Sequence, residues 1–124
     1  MQLDVLAAML LAERREGGEL LEHLAAKLGA AFPDRTSVER DGWVFSRARR
    51  VRRLTLDLGS ARYALAREAH GPVARRIKVV RGIEIGSAEL ALEAWVAAVL
   101  EDLEAVATKD DAARRALNRL MTDR

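Results

Sequence analysis

The sequence predicts an α+β fold: an N-terminal helix, a four-stranded antiparallel meander, and two C-terminal helices packed on one sheet face. Apolar residues recur at helical spacing over residues 2–31 and again over 88–106. Between these segments, over 36–85, apolar and polar residues alternate as they do in half-buried strands. The chain has 124 residues, of which 50% are hydrophobic and 32% charged, so we expect a single domain, 1–124.

The N-terminal helix is indicated by leucines at intervals of three and four residues. They are Leu3, Leu6, Leu10, Leu20, Leu21, Leu24 and Leu28. Gly17-Gly18 interrupts the pattern, and two glycines inside a helix cost about 2 kcal/mol relative to alanine. A break into two helices therefore fits the sequence as well as one long kinked helix. Gly29 and Pro33 mark the end of the segment.

Four strands are predicted in the central stretch. The first runs from about Thr36 to Ser46, and the others alternate over 53–58, 62–66 and 76–85. Glycine tolerates the positive φ that tight hairpin turns require, so turns are expected where glycine stands between strands. The two turn signals are Gly59-Ser60 and His70-Gly71-Pro72.

The alternation assigns the strand residues to two faces. Leu54, Leu56, Tyr63 and Leu65 define an apolar face for the core, and Ile77, Val79, Ile83 and Ile85 are assigned to it as well. The opposite face combines long basic side chains with small alanines, which makes a flat floor with a positive rim. Its predicted members are Arg53, Thr55, Arg62, Ala64, Ala66, Arg76, Lys78 and Val80.

Two helices follow the strands. Ser87 is a candidate N-cap for the first, because its hydroxyl can accept a hydrogen bond from a free first-turn amide. Trp95 lies in phase with the apolar residues of that helix, and both it and Trp43 are predicted to belong to the core. Thr108 begins a variant capping box for the second helix, Thr108-Lys109-Asp110-Asp111. That helix is predicted to bury Ala113, Leu117, Leu120 and Met121.

Charge is sorted by position along the chain. Residues 1–46 carry 5 Lys/Arg and 8 Asp/Glu, residues 47–81 carry 11 and 2, and residues 82–124 carry 5 and 9. The net charges of −3, +9 and −4 add up to the total of +2. A basic centre between acidic flanks places one sign of charge on one element or face, and so indicates where a partner binds.

The basic centre is the candidate binding site for an anionic partner, either an acidic protein surface or nucleic acid. Arginine suits both, because its planar fork donates two parallel hydrogen bonds to carboxylates and phosphates. The candidate residues are Arg47, Arg49, Arg50, Arg52, Arg53, Arg62, Arg76 and Lys78. A second interpretation is intramolecular: the acidic helix residues Glu101, Asp102 and Glu104 neutralise the arginines within the fold or across a dimer.

Other classes of site find little support. The chain has no cysteine, which excludes disulfides, thiolate metal sites and a cysteine nucleophile. His23 and His70 lack the spacing of metal ligands, and no serine lies in a nucleophile-elbow motif. No glycine-rich phosphate loop is present, so we expect no catalytic residue, no metal and no cofactor.

The sequence therefore favours a small cytoplasmic, non-catalytic protein–protein interaction module of an adaptor, chaperone-like or immunity type. The apolar run 5–12 is too short to cross a bilayer, and Asp4 precedes it where a signal peptide would carry a cation. The first helix is apolar over much of its circumference, which is typical of helices buried on more than one side and predicts a homodimer. The candidate interface residues are Leu3, Leu6, Leu10, Ala64 and Ala66. The alternative is a nucleic-acid or anionic-surface binder that uses the cluster Arg47–Arg53.

Overall fold

A five-stranded antiparallel sheet with helices packed on one face makes up the part of the chain that the structure describes. The structure is a computed structural model, and it describes residues 20–42 and 50–122. The elements are α1 (Leu20–Ala31), β1 (Thr36–Arg40), β2 (Val51–Asp57), β3 (Ala61–Glu68), β4 (Gly71–Val80), β5 (Ile83–Leu90), α2 (Leu92–Ala107) and α3 (Asp111–Thr122). The α+β class, the antiparallel meander and the two C-terminal helices are confirmed.

The strands follow one another in space in their chain order, β1-β2-β3-β4-β5, and each neighbouring pair is antiparallel. The sheet has five strands where the sequence predicted four. The predicted strand over 76–85 is two strands, because Arg81 and Gly82 form a tight turn and Val80 pairs with Ile83. Both turn residues have positive φ, 53° and 79°.

The predicted first strand is shorter than expected: β1 ends at Arg40, and residues 43–49, which include Trp43, lie outside the described residues. The same is true of the first part of the N-terminal helix. Leu3, Leu6, Leu10 and the Gly17-Gly18 pair all fall in residues 1–19.

The predicted starts of both C-terminal helices are wrong by a few residues. Ser87 caps no helix, because it lies in β5 opposite Ile77, and α2 begins at Leu92. Asp110, not Thr108, caps α3: one Asp110 carboxylate oxygen accepts hydrogen bonds from the amides of Ala112 and Ala113 at 2.9 and 3.3 Å. A carboxylate is the stronger acceptor for first-turn amides, which carry the positive end of the helix dipole.

The core lies between one sheet face and the three helices. Its largest fully buried side chains are Trp95, Tyr63, Leu54, Leu56, Leu65, Leu103 and Val51. The apolar residues predicted for α3 agree with this, because Ala113, Leu117 and Leu120 are buried and Met121 packs against them.

The register of β4 reverses part of the predicted face assignment. A two-residue turn at 69–70 pairs Glu68 with Gly71, so that Arg76 lies opposite Tyr63. Since cross-strand partners share a face, β4 presents the opposite parity from the one predicted. Arg76, Lys78 and Val80 lie on the helix side of the sheet, and Ile77 and Val79 lie on the other side. The predicted outward residues of β2 and β3 are on the expected face: Arg53, Thr55, Arg62, Ala64 and Ala66.

Candidate functional site

The predicted arginine cluster lies where β1 and β2 meet, at one edge of the sheet. Arg47 and Arg49 fall outside the described residues, and Arg50 immediately precedes β2. Arg52 reaches Glu39 at 3.2 Å and Asp41 at 3.7 Å, while Arg53 lies 4.0 Å from Glu39. The acidic side chains of β1 and the residue after it therefore neutralise this end of the sheet, although they are distant in sequence from most of the basic stretch.

The arginines of β3 and β4 on the same face are also paired with carboxylates. Arg62 lies between Asp57, at 3.3 Å, and Glu84, at 2.7 Å, so it connects β2 and β5 across the sheet. These two hydrogen bonds, the one to Glu84 first, raise the pKa of Arg62 above its usual range. Arg75 pairs with Glu68 at 3.2 Å. Most of the counter-charges thus come from neighbouring strands, and the acidic helices supply fewer than the sequence suggested.

Arg76 belongs to a polar cluster between the sheet and α2. Its Nε donates to the Tyr63 hydroxyl at 2.9 Å, and its Nη2 lies 3.9 Å from Asp102 of α2. The Tyr63 hydroxyl in turn donates to Asp102. Burial, followed by the hydrogen bond to Asp102, raises the pKa of Tyr63. The Trp95 indole stands at 75° to the Tyr63 ring, so this cluster fixes α2 on the sheet.

The two alanines predicted for an oligomer interface offer little surface. Ala64 is only 3% exposed, and Ala66 is half-buried. The leucines of the same predicted interface lie in residues 1–19, outside the described part of the chain. The homodimer therefore stays a prediction from the sequence, because the described sheet face adds no exposed alanine surface that would support it.

The β4–β5 hairpin is the part of the described chain that most resembles a docking surface. Of the four large hydrophobic side chains exposed in the described residues, three lie on it: Val80 (43% exposed), Ile83 (65%) and Ile85 (56%). Lys78 and Arg81 are also exposed here, and neither forms an ion pair with another described residue. The hairpin therefore combines apolar surface with positive charge that no other described residue pairs with. We define the exposed hairpin site as Lys78, Val80, Arg81, Ile83 and Ile85.

The sequence interpretation assigned Ile83 and Ile85 to the core, so Lys78 is the only residue of this site that it named as a binding residue. A detectable signal is the pair Arg81-Gly82 between the apolar residues Val80 and Ile83, which fits a two-residue hairpin loop. If this pair forms a turn, β4 ends at Val80. A new strand then runs to Leu90, along the sheet edge, where its side chains stay exposed.

Two cavities in the described residues offer no clear binding chemistry. A cleft of about 390 Å³ beside the β2–β3 turn is lined by two cations, Arg35 and Lys109, and two acids, Asp102 and Asp110. Arg35 and Asp110 already pair at 3.7 Å. The second cavity, about 20 Å³ between the helices, has room for about one water molecule. Within residues 20–42 and 50–122, no three His, Asp or Glu side chains are grouped so that they could hold a metal ion.

Comparisons with known proteins identify no relative: no protein-family model matches the chain, and no curated protein or solved structure is significantly similar to it. None of the helices in the described residues is long and apolar enough to cross a membrane.

Proposed function

We propose that this protein is a small non-catalytic protein–protein interaction module of an adaptor, chaperone-like or immunity type, which docks an anionic protein partner through the exposed hairpin site. The observation that carries this proposal is the concentration of exposed aliphatic side chains on one hairpin. Fully burying one isoleucine side chain contributes about 1.5–3 kcal/mol, so two isoleucines and a valine can form the centre of an interface.

The charges around the hairpin support an anionic partner. Lys78 and Arg81 flank the aliphatic side chains and have no acidic partner among the described residues. Apart from Lys78, the basic surface thus differs from the one that the sequence predicted. Arg52, Arg53, Arg62 and Arg75 have carboxylates beside them, so docking there would first have to replace an existing pair.

The alternative is binding of nucleic acid or an anionic surface through the cluster Arg47–Arg53. Its support rests on Arg47 and Arg49, which are outside the described residues. The ion pairs of Arg52 and Arg53 weaken it, because phosphates would compete with Glu39 for the same guanidinium groups. We therefore favour the protein partner.

Self-association remains part of the proposal. The apolar segment with Leu3, Leu6 and Leu10 is its basis. Light scattering at micromolar concentration should give about twice the monomer mass of 13.7 kDa. A monomer mass at every concentration tested would exclude the homodimer and leave the hairpin proposal standing.

Selection from a random displayed-peptide library tests the docking proposal. The wild-type protein should enrich a set of peptides, and the double variant Ile83→Ser, Ile85→Ser should bind them at least about tenfold more weakly, because the central apolar contacts are lost. Val38→Ser is the matched control, since Val38 is an exposed valine on β1, at the other edge of the sheet. Enrichment of no peptide, or equal binding by the double variant, would overturn the proposal.

A further inference from the structure

Strand β5 forms one edge of the sheet and pairs, within the described residues, only with β4. Seven of its eight residues are exposed. The amide and carbonyl groups along the outer side of an edge strand are a template for another strand. The opposite edge, β1, is shorter, with five residues, and carries two charged side chains in ion pairs, Glu39 and Arg40. Of the two edges, β5 is therefore the more open to an incoming strand.

The two faces of β5 differ in charge. On the helix side the cross-strand pairs are Arg76 with Ala88, Lys78 with Gly86 and Val80 with Ile83. On the other side Glu84 lies opposite Val79, and Glu89 lies opposite Arg75. The helix side is thus basic and aliphatic with small residues at the edge, while both carboxylates of β5 belong to the other side.

Gly86 leaves Lys78, its cross-strand partner on β4, accessible from beyond the edge. A strand added beside β5 lies two strand spacings from β4, about 10 Å away. The long side chains of lysine and glutamate span that gap between them, provided that nothing bulky stands on β5. Gly86 has no side chain, and no atom lies within 4 Å of the place where its Cβ would be. A carboxylate opposite Gly86 therefore has an open path to Lys78.

We propose that an extended acidic segment of a partner protein adds to β5 as a sixth strand, with a carboxylate opposite Gly86 and an apolar side chain opposite Ile83. The carboxylate faces Lys78, and the apolar side chain packs on Val80 and Ile83. This mode of recognition draws affinity from main-chain hydrogen bonds and specificity from alternate side chains. It rests on the proposed docking function, for which it names the binding mode and the chemistry of the partner.

A second copy of this chain fits the edge less well. Its own β5 would bring Glu84 and Glu89, but these lie on the side away from Lys78. The register shift at Lys78/Val79 also leaves Ile85 as an extra residue in β5, and such bulges interrupt long regular pairing between identical edges. Charge complementarity therefore favours a different, acidic segment.

The test uses short synthetic peptides that alternate threonine with glutamate in one half and with isoleucine in the other. A second peptide with the two halves exchanged covers both strand directions, and lysine-for-glutamate versions are the controls. Calorimetry should give binding for one acidic peptide and none for the lysine versions. Hydrogen exchange of the β5 amides should slow when that peptide binds, because an added strand protects the edge.

Two substitutions test whether Lys78 binds the carboxylate and whether Gly86 must leave the path to Lys78 open. Lys78→Glu and Gly86→Val should each weaken the acidic peptide about tenfold, which corresponds to about 1.4 kcal/mol. Gly86 has no positive φ and an open Cβ position, so valine should be accommodated without unfolding. Lys109→Glu is the matched control, because Lys109 is an exposed lysine on the loop between α2 and α3. Melting curves verify the fold of each variant.

The outcomes separate the two proposals. If acidic library peptides depend on Ile83 and Ile85 but leave the β5 amides unprotected, the added-strand inference is wrong and the docking function stands. Protection of β5 that rises with protein concentration in the absence of peptide would identify a second copy as the occupant and overturn the inference. If neither the library nor the designed peptides bind, both proposals are wrong.

Discussion

Trp95 holds α2 against the sheet through a buried side chain and a hydrogen bond. Its side chain is 1% exposed, and its indole Nε1 donates to the Arg75 carbonyl at 3.1 Å. Trp95→Ala should lower the free energy of unfolding by about 3–5 kcal/mol, a large share of a small domain's stability. Urea unfolding followed by circular dichroism measures this loss. A variant that melts within a few degrees of the wild type would contradict the core assignment.

Tyr63 gives the chain a titration that can be assigned without ambiguity, because it is the only tyrosine in the sequence. Burial, then the hydrogen bond to Asp102, raises its pKa, so the folded protein favours the neutral phenol. The stability that this phenol contributes is complete below about pH 10, the pKa of a free tyrosine. It is lost as the pH rises through the higher folded pKa.

Tyrosinate absorbance should accordingly show a midpoint above that of free tyrosine, and Tyr63→Phe should abolish the signal. The variant should also lose about 1 kcal/mol of stability at neutral pH, because Arg76 and Asp102 lose the hydroxyl between them. An absorbance midpoint at or below about pH 10 would contradict the buried cluster.

For the helices and strands, the periodicity of apolar residues predicted the type of each element more accurately than its first and last residues. Alternation over 53–58 and 62–66 identified β2 and β3 and their faces, because both strands have one wholly buried side. It failed to identify β5, because most of this strand is exposed and its sequence therefore need not place apolar residues on one face. Gly86, Ser87 and Ala88 carry no strand signal by themselves, and only their pairing with β4 makes them extended.

The β4 face assignment failed for a reason that periodicity cannot address. A strand's side-chain pattern has period two, so a one-residue change in the preceding turn exchanges its faces. Ile77 and Val79 are buried and alternate with the exposed Arg76 and Lys78, but this alternation does not determine which face of the sheet the apolar residues take. The turn at 69–70 decides between them by pairing Glu68 with Gly71.

The Arg81-Gly82 turn gives the element-scale prediction. Both residues have positive φ, which glycine and asparagine tolerate and most other residues adopt at a cost of about 1–2 kcal/mol. Arg81→Asn should therefore stabilise the protein by a fraction of that amount, and Gly82→Ala should destabilise it by about 1 kcal/mol. Thermal melts of the two variants should move in opposite directions. A shift of both in the same direction would contradict the positive-φ turn.

For the whole molecule, the sequence predicted a basic centre between acidic flanks, and the fold shows which acidic side chains lie beside the basic ones. Glu39 and Glu84 are remote in sequence from the arginines that they contact, so no local pattern indicates the pairing. The described arginines Arg52, Arg53 and Arg62 form cross-strand ion pairs. Lys78 and Arg81, which pair with no other described residue, lie on a hairpin that the sequence did not separate into strands. The Arg81-Gly82 pair could indicate the hairpin from the sequence, but which of its side chains share a face follows only from the register of β4 and β5.

This charge arrangement predicts weak binding to generic duplex DNA. Each phosphate contact contributes about −0.9 to the slope of log K against log salt, so five contacts by the cluster Arg47–Arg53 would give a slope near −4 to −5. Because Arg52 and Arg53 already contact Glu39, we expect a much shallower slope and no measurable binding at physiological salt. Fluorescence anisotropy with labelled DNA over a series of salt concentrations measures it. The triple reversal Arg49→Glu, Arg50→Glu, Arg52→Glu should leave binding of the acidic peptide unchanged, whereas Lys78→Glu should weaken it. A steep DNA slope that the triple reversal abolishes would instead establish the arginine cluster as the binding site and nucleic acid as the partner.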